Sequence, residues 1–556
     1  MKKLFYTVAM LLCIGLCLEG ATRSKKSAIS RNIDIFSSVF KEMQTFYVDS
    51  IDADKAVSTA INAMLGELDP YTVYMPRSEQ EDFKTMTTGE FGGIGSYIVQ
   101  RDGNVYISGP HKDSPAHKAG LRAGDLIIAI DGDTMLGKSH TFVSDRLKGT
   151  PGTDLTVKVK RPYVADSIIE VPMTRAKIKI ASVPYYGVEK GDIGYIALNT
   201  YSESTADEVK KAVTDLTANP AVKALVLDLR GNVGGLVESA VKVVGNFVPK
   251  GTEVLRTKGK GVLNEKVYKT TSAPIAPEIP LVVLIDGETA SSAEITAGAL
   301  QDLDRAVIIG NRSYGKGLVQ TTRDIPYEGM LKVTVAKYYI PSGRLIQAID
   351  YSRRNPDGSV SRIPDSLTNT FTTAHGRVVR DGGGISPDID VEYPSLSRLT
   401  YNIMSDFWAF DFANRYFATH PQAPDIDSFE VSDSLYNEFK AFINPDKFEY
   451  DRVCETMLER LRAAAKVEGY DEDSLTVQFD ILEKMLRRPL ERDLDKHRDA
   501  IEPLIAREIM ERYYFDPGRI KTGLRKDPGL DSAATLLHTR DRYTQLLSPS
   551  KKSDSK

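Results

Sequence analysis

The spacing of apolar residues changes several times along the chain. It is helical over residues 32–65, where Ile33, Phe36 and Phe40 fall on one face, and it gives way to short strands among many glycines over residues 88–175. Buried-strand runs then alternate with helical patterns to about residue 395, after which helical spacing returns. This order predicts an α/β multidomain protein. Its expected parts are an N-terminal helical region at 22–87, a β domain at 88–175, an α/β core at 176–395 and a C-terminal helical region at 396–556 that ends in a disordered tail.

The first residues predict export. Lys2 and Lys3 precede 15 uncharged, mostly apolar residues, a pattern typical of a secretory signal and short for a membrane span. We expect a signal peptide over residues 1–21 and an exported, periplasmic protein, with an uncleaved membrane anchor as the alternative. Two of the three cysteines would leave with the signal, and the apolar neighbours of Cys454 predict a buried, inert thiol.

The charge balance of the chain adds little. Its 72 basic and 76 acidic residues give a net charge of −4, so we expect no nucleic-acid partner. The candidate chemistry therefore comes from local motifs.

A glycine-rich turn opens the β domain. Gly93, Ile94 and Gly95 precede an alternating strand, and such a turn offers backbone N–H groups to a carboxylate while the strand edge can accept an extended peptide. An ordinary hairpin turn is the alternative. Because a Ser-Pro-Ala turn, the run Ala119–Ile127 and the run Leu147–Thr153 follow in order, the segment resembles a PDZ domain. That resemblance implies binding of free C-terminal carboxylates by the amides around Gly93 to Gly95.

A second glycine turn lies in the α/β core. Asp-Leu-Arg-Gly-Asn-Val-Gly-Gly, residues 228–235, joins a buried strand to a predicted helix, an arrangement that aims N–H groups at an anion. The glycine spacing does not match a dinucleotide-binding loop. A structural turn and an oxyanion hole both stay open.

Two adjacent serines begin a helical pattern after the apolar run Leu281–Ile285. Ser291 and Glu294 have the spacing of a capping box, so a structural role is one interpretation. The same position suits a nucleophile, because the N–H of Ser292 lies at a helix start and can stabilise an oxyanion.

Lys316 is the candidate base. None of the seven histidines falls within residues 281–347, so a Ser-His-Asp triad lacks an obvious base. A lysine serves only when neutral, which needs its pKa lowered from about 10.4 to roughly 7–8, at a cost on the order of 4 kcal/mol. Gln320, four residues on in a strand-like run, is expected on the same face to orient the amine.

The residues before Lys316 also match the start of a phosphate-binding loop. Gly310 to Lys316 has the pattern G-x-x-x-x-G-K. Gly317 occupies the Mg²⁺-ligating position, however, and the residues after it predict a strand where a phosphate loop has a helix. Nucleotide binding is therefore disfavoured.

Taken together, these motifs resemble those of the carboxyl-terminal processing (tail-specific) proteases, serine peptidases with a Ser-Lys dyad and an inserted PDZ domain. The resemblance rests on five segments, residues 228–235, 289–295, 315–320, 338–347 and 383–388. In that family the nucleophile stands 25 positions before the lysine, which selects Ser291 over Ser292. Thr289, Ser292 and Ala293 depart from the usual Ser, Ala and Ser, which affects the flanks of the nucleophile only.

The resemblance implies a fold and an activity. The expected core is crotonase-like (ClpP-like), built of ββα units, and Gln320 is expected as a third catalytic residue. The oxyanion hole would combine the Ser292 amide with a glycine amide at or beside Gly234. The reaction would be endopeptidase cleavage of polypeptides held by their C-terminal tails, without metal or other cofactor. An adaptor protein and a homo-oligomer remain open as partners.

Two rival functions share parts of this pattern. A catalytically silent PDZ scaffold of the cell envelope would bind tails without cutting them. A crotonase-like acyl-transforming enzyme would share the core but would need neither the dyad nor the PDZ segment.

Overall fold

A computed structural model describes residues 28–548, except 166, 262–264, 356, 451, 471–472 and 487–488. The contacts divide the chain into two units: the residues up to Arg77 together with Gln320–Thr334, and Ser78–Val319 together with the residues from Val335 on. The predicted signal peptide and the predicted tail beyond residue 548 lie outside the described residues. Within the described ranges no helix has the length and apolarity to span a membrane.

The strands are, in chain order, β1 Val73–Met75, β2 Glu90–Gly93, β3 Ser96–Arg101, β4 Asn104–Pro110, β5 Leu126–Ile130, β6 Asp133–Thr134, β7 Asp154–Lys160, β8 Ile168–Thr174, β9 Ala176–Lys179, β10 Tyr185–Glu189, β11 Ile193–Ala197, β12 Ala224–Asp228, β13 Glu253–Gly259, β14 Glu265–Lys269, β15 Leu281–Ile285, β16 Val307–Gly310, β17 Leu318–Ile325, β18 Gly329–Tyr339, β19 Ile349–Arg354, β20 Val360–Arg362, β21 Thr370–Thr372, β22 Val378–Arg380 and β23 Ile389–Asp390.

The helices are α1 at residues 28–46, α2 Ala53–Gly66, α3 Gln80–Thr88, α4 Pro115–Lys118, α5 His140–Leu147, α6 Thr205–Ala218, α7 Val237–Val244, α8 Ser292–Asp302, α9 Arg398–Ser405, α10 Trp408–Thr419, α11 Asp433–Phe442, α12 Val453–Val467, α13 Asp473–Leu486, α14 Leu490–Lys496, α15 Arg498–Gly523, α16 Pro528–Leu537 and α17 Arg540–Leu547.

The first unit holds two helices and a small antiparallel ribbon. Asp52 caps α2 by accepting the N–H of Lys55 at 3.0 Å. Strand β1 pairs antiparallel with the Met330–Lys332 part of β18. The two predicted N-terminal helices are therefore present.

The β domain is an antiparallel sheet with the order β3-β4-β5-β7-β8, and β6 pairs with β5. Alternate residues such as Val105 and Ile107, or Val157 and Val159, are fully buried, as expected for a sheet with one face on a core. Strand β3 ends the order and pairs, among the described residues, with β4 alone. It therefore offers an edge to a further strand.

The core sheet has the order β10-β11-β12-β15-β16-β23, and every pairing from β11 to β23 is parallel. All residues of β11, β12, β15 and β16 are buried, because helices cover both faces. Residues of α6, α7 and α8 pack on one face. The other face is covered by α16 and α17 through Leu530, Leu536 and Tyr543. The end of the C-terminal helical region thus completes the α/β core.

Helices α9, α10, α11, α14 and α15 form a separate apolar cluster. Helix α15 changes direction at Phe515, whose φ of 58° and ψ of −150° are not helical. Cys454 is exposed on α12, so the prediction of a buried thiol is wrong. It lies near the start of that helix, one turn before the buried Leu458 and on the same side.

Candidate active site

Ser291 lies immediately before α8, after a short turn that follows β15. Its φ of 55° and ψ of −116° are uncommon for a residue with a side chain and store strain of about 1–3 kcal/mol. Strain at a serine between a strand and a helix is the arrangement of a nucleophile elbow. Ser291 is also the N-cap residue, and its N–H donates to the Glu294 carboxylate at 2.9 Å. The capping box predicted from Ser291 and Glu294 is therefore present, and it is compatible with a nucleophilic role for Ser291.

The neighbouring Ser292 has a different environment. Its side chain is fully buried, and its hydroxyl donates to the Gly235 carbonyl at 2.8 Å. This hydroxyl holds the glycine loop against the start of α8. The two serines therefore differ in their surroundings, and the choice of Ser291 as nucleophile stays a prediction.

The glycine loop after β12 closely approaches the start of α8. Gly234 has a φ of 99°, and a Cβ added there would lie 2.8 Å from the Ser291 Cβ and 2.9 Å from the Ser292 nitrogen. The position therefore requires glycine. The Gly234 N–H donates to Asn232 Oδ1 at 2.9 Å. The structure thus places the two predicted oxyanion residues side by side, while the choice between Gly234 and its neighbour stays a prediction.

The loop that carries Lys316 follows β16. Because the carboxyl ends of the parallel strands β12, β15 and β16 meet at one edge of the sheet, the loops after them converge there. Lys316 is half-buried, and its N–H donates to the same Glu294 oxygen as the N–H of Ser291, also at 2.9 Å. The structure therefore brings the predicted nucleophile and base together.

The Glu294 carboxylate is fully buried and accepts two further donors. The Ser313 hydroxyl and the Gly315 N–H lie 2.5 and 2.7 Å from its other oxygen. Burial raises the pKa of Glu294 to about 7, although all four donors favour the ionised form. Sequence reasoning treated this residue only as half of a capping box.

Tyr338 bridges the same two residues through their carbonyls. Its buried hydroxyl lies 2.7 Å from the Lys316 carbonyl oxygen and 3.2 Å from that of Ser291. Sequence reasoning cited this tyrosine only as part of a family motif and assigned it no role.

Gln320 belongs to the first unit. It lies on β17, and its amide nitrogen lies 3.1 Å from the Thr334 hydroxyl. The strand begins at Leu318, so Lys316 precedes it and the same-face argument that linked the two residues is wrong. The strand itself confirms that no helix follows Gly310–Lys316, as a phosphate-binding loop would require.

The predicted peptide-binding residues lie at the start of the β domain. Gly93 ends β2, which pairs with β9. The buried Ile94 accepts the Ala116 N–H through its carbonyl at 2.9 Å, and Gly95 follows with a φ of 71°. This turn leads directly into the edge strand β3.

Histidines and metal ligands are the other side chains to consider at this site. In the part of the chain that the structure describes, no hydrogen bond or ring contact joins a histidine to Ser291. Among the described residues no His, Cys, Asp and Glu side chains cluster in a way that could hold a metal ion.

Sequence reasoning also missed an ion-pair cluster beside the glycine loop. Arg230 pairs with Asp228 and, at 2.9 Å, with Asp527, which caps α16. The side chains of all three are less than one-fifth exposed. Nothing in the sequence links residues about 300 positions apart, so only the fold could reveal this anchor.

Comparison with known proteins identifies the class. Residues 192–360 match Peptidase family S41, residues 106–161 match a PDZ domain, and residues 399–537 match a C-terminal helical domain described for a probable PDZ-protease. The fold and site thus define a serine protease that carries a PDZ domain, a mixed α/β core and a helical C-terminal region.

Similarity to several named proteins identifies the family within this class. The chain is 35% identical over 353 residues to a carboxy-terminal-processing protease of Bartonella bacilliformis, covering 63% of this chain and 80% of that protein. It is 30% identical over 407 residues to a probable CtpA-like serine protease of Staphylococcus haemolyticus, covering 73% and 79%. A solved photosystem II D1 C-terminal processing protease is 28% identical, covers 64% of this chain and 92% of its own, and gives a TM-score of 0.35. The chain belongs to the carboxy-terminal-processing proteases of family S41.

Proposed function

We propose that Ser291 is the nucleophile and neutral Lys316 the general base of an endopeptidase that cuts exported polypeptides engaged through their C-terminal tails. The observation that carries the proposal is the shared Glu294 oxygen, which lies 2.9 Å from the backbone nitrogens of both residues. The strained backbone of Ser291 supports the same assignment.

The chemistry follows from the two side chains. The Ser291 hydroxyl attacks the scissile carbonyl carbon and gives its proton to the Lys316 amine. The oxyanion that forms is stabilised by the Ser292 N–H at the start of α8 and by a glycine N–H at or beside Gly234. The resulting ammonium protonates the leaving amine, and the acyl-enzyme is then hydrolysed by a water that the same amine deprotonates. Gln320 is proposed to orient that amine.

The β domain supplies substrate binding in this proposal. An extended tail adds to the edge of β3, and the amides of Gly93, Ile94 and Gly95 bind its terminal carboxylate. Among the described residues β3 pairs only with β4, and its other edge supports this role, because an unpaired strand edge offers N–H and C=O groups to a peptide.

The setting is also a proposal. The N-terminal residues favour export to the periplasm, with the N-terminus removed or retained as an anchor. An adaptor protein and a homo-oligomer are compatible with this role. We also propose the crotonase-like ββα description for the α/β core.

Replacing the two residues tests the mechanism. Ser291→Ala and Lys316→Arg should each abolish cleavage of casein, an unfolded polypeptide, because alanine has no nucleophile and arginine stays charged at ordinary pH. Thermal unfolding should change little in either variant. Turnover by Ser291→Ala at the wild-type rate would refute the assignment.

Ser292→Ala is the matched control for the nucleophile. It keeps the backbone N–H and removes only the hydroxyl bonded to Gly235, so it should retain measurable turnover. Tail binding is tested separately with one peptide made as free acid and as C-terminal amide. Equal binding of the two forms would contradict carboxylate recognition, and binding by an inactive wild-type protein would indicate a scaffold.

A further inference from the structure

The proposed dyad is held together by backbone contacts on two sides. The Glu294 carboxylate accepts the N–H groups of Ser291 and Lys316, and the Tyr338 hydroxyl lies within hydrogen-bond distance of both their carbonyls. The donors come from the start of α8 and from the loop after β16. Two buried side chains therefore fix the relative position of two separate segments.

This fixing matters because neither segment holds its geometry alone. Ser291 has a φ of 55°, a conformation that persists only where the surroundings over-determine it. Residues 311–317 form no helix or strand. A misplacement of about 1 Å between reacting groups can cost roughly 100-fold in rate. The contacts of Glu294 and Tyr338 join these segments, beside one backbone bond from the Tyr314 N–H to the Thr289 carbonyl at 3.0 Å.

The charge state of the carboxylate is part of the arrangement. Each oxygen accepts two donors, which are the N–H groups of Ser291 and Lys316 on one side and the Ser313 hydroxyl and Gly315 N–H on the other. An ionised carboxylate has an acceptor site for each of these, whereas a protonated carboxyl turns one site into a donor.

We propose that Glu294, in its ionised form, is the positioning residue that sets Lys316 against Ser291, with Tyr338 as its counterpart on the carbonyl side. The proposal rests on the Ser291–Lys316 function above. Glu294 touches neither substrate nor the reacting atoms, so it acts through the two residues it joins. Burial raises the pKa of Glu294 to about 7, so protonation within an ordinary pH range would break the hydrogen bonds that join Ser291 to Lys316. The other titratable groups in this cluster are Lys316 itself, on the loop, and Tyr338, on β18.

The test uses the full-length chain and a fluorophosphonate that labels the nucleophilic serine. The wild-type labelling rate should fall towards acid pH. A plot of the logarithm of this rate against pH should approach a slope of two, because both Lys316 and Glu294 must be deprotonated. Glu294→Gln should label at least about 100-fold more slowly, since its NH₂ group opposes N–H donors, and its slope should fall to one. Casein turnover should show the loss in kcat with KM nearly unchanged.

Thr296→Val is the matched control. Thr296 is also a fully buried polar residue of α8, but its hydroxyl bonds to the Tyr201 hydroxyl and the Ser292 carbonyl. This variant should keep the slope of two and a rate within about threefold of wild type. A folded Glu294→Gln protein with wild-type rate and slope would overturn the proposal.

Two milder variants keep the test decisive if Glu294→Gln does not fold. Tyr338→Phe removes only the hydroxyl on the carbonyl side, whereas Ser313→Ala removes one donor to the carboxylate and also the acceptor of the buried Ile385 N–H. Each should slow labelling about fivefold, the effect of one hydrogen bond at the dyad, and Tyr338→Phe should do so without a matching loss of thermal stability. Unchanged labelling in both would overturn the proposal. An active Ser291→Ala protein would instead refute the proposed function.

Discussion

Ionisation of Glu294, which the proposed contacts with Ser291 and Lys316 require, should make the folded chain less stable. Its pKa is about 7 in the folded chain, against an ordinary value of 4.5. Between these two values the folded chain keeps the proton and the unfolded chain has lost it. The free energy of unfolding should therefore fall as pH rises through this window, by about 3 kcal/mol in total.

The assay is differential scanning calorimetry of the wild type and Glu294→Gln between pH 4 and pH 8. For a core of this size, about 3 kcal/mol corresponds to roughly 5–10 °C in the unfolding temperature. Glutamine does not titrate, so the other ionisable groups cancel in the difference between the two proteins. The unfolding temperature of Glu294→Gln should rise relative to that of the wild type as pH increases to 7, and the difference should stay constant above pH 7.

A constant difference across this range would refute the reasoning. It would mean that Glu294 has a similar pKa in the folded and unfolded chain, so that its four hydrogen bonds offset the cost of burial. A difference of opposite sign would show that the hydrogen bonds outweigh that cost.

Three further predictions concern the parts around the site. Asp527→Ala should lower the free energy of unfolding by about 2 kcal/mol, because it removes both a partner of Arg230 and the cap of α16. The control Asp531→Ala removes only an exposed ion pair with Lys190 and should change that free energy by less than about 1 kcal/mol. Equal effects of the two variants in thermal unfolding would contradict the role given to Asp527. Deleting α16 and α17 should give a protein that aggregates in sedimentation, because the deletion exposes an apolar face of the core sheet. Deleting only the residues after α17 should leave the protein soluble. A soluble, active protein without α16 and α17 would disprove that these helices cover the sheet. Gly234→Ala should reduce serine labelling at least about tenfold, because the added methyl group would press on Ser291 and a φ of 99° strains any residue with a side chain. Labelling at the wild-type rate would show that the loop can move to accept the methyl group.

Much of the core could be predicted from hydrophobic runs. The pattern predicted a buried strand before the glycine turn at residues 228–235 and a helix after it, and the structure has the strand Ala224–Asp228 and the helix Val237–Val244. Continuous apolar runs of this kind arise because a parallel sheet is buried on both faces. The spacing of Ser291 and Lys316 pointed to the protease family, because that spacing is part of the family's motif.

The predictions that failed depended on surroundings the sequence does not show. Cys454 has apolar neighbours along α12 and lies on the same side as the buried Leu458, yet it is exposed, because amphipathic spacing does not say how far along a helix its apolar side is covered. Gln320 and Lys316 seemed to share a strand face, but the strand begins only at Leu318. The end of an element depends on its pairing partners, which a local pattern does not contain.

The sequence by itself determined the element order, the glycine turns, and the serine and lysine on which the proposed chemistry depends. Tertiary structure alone decided what holds them. Glu294 binds its donors largely through backbone N–H groups, which every residue except proline offers, so no residue type marks the partners in advance. Tyr338 and Asp527 contact the site region only because a strand and a distant helix pack there. Chemistry requires particular side chains at particular spacings, whereas support can come from any part of the chain that the fold brings close.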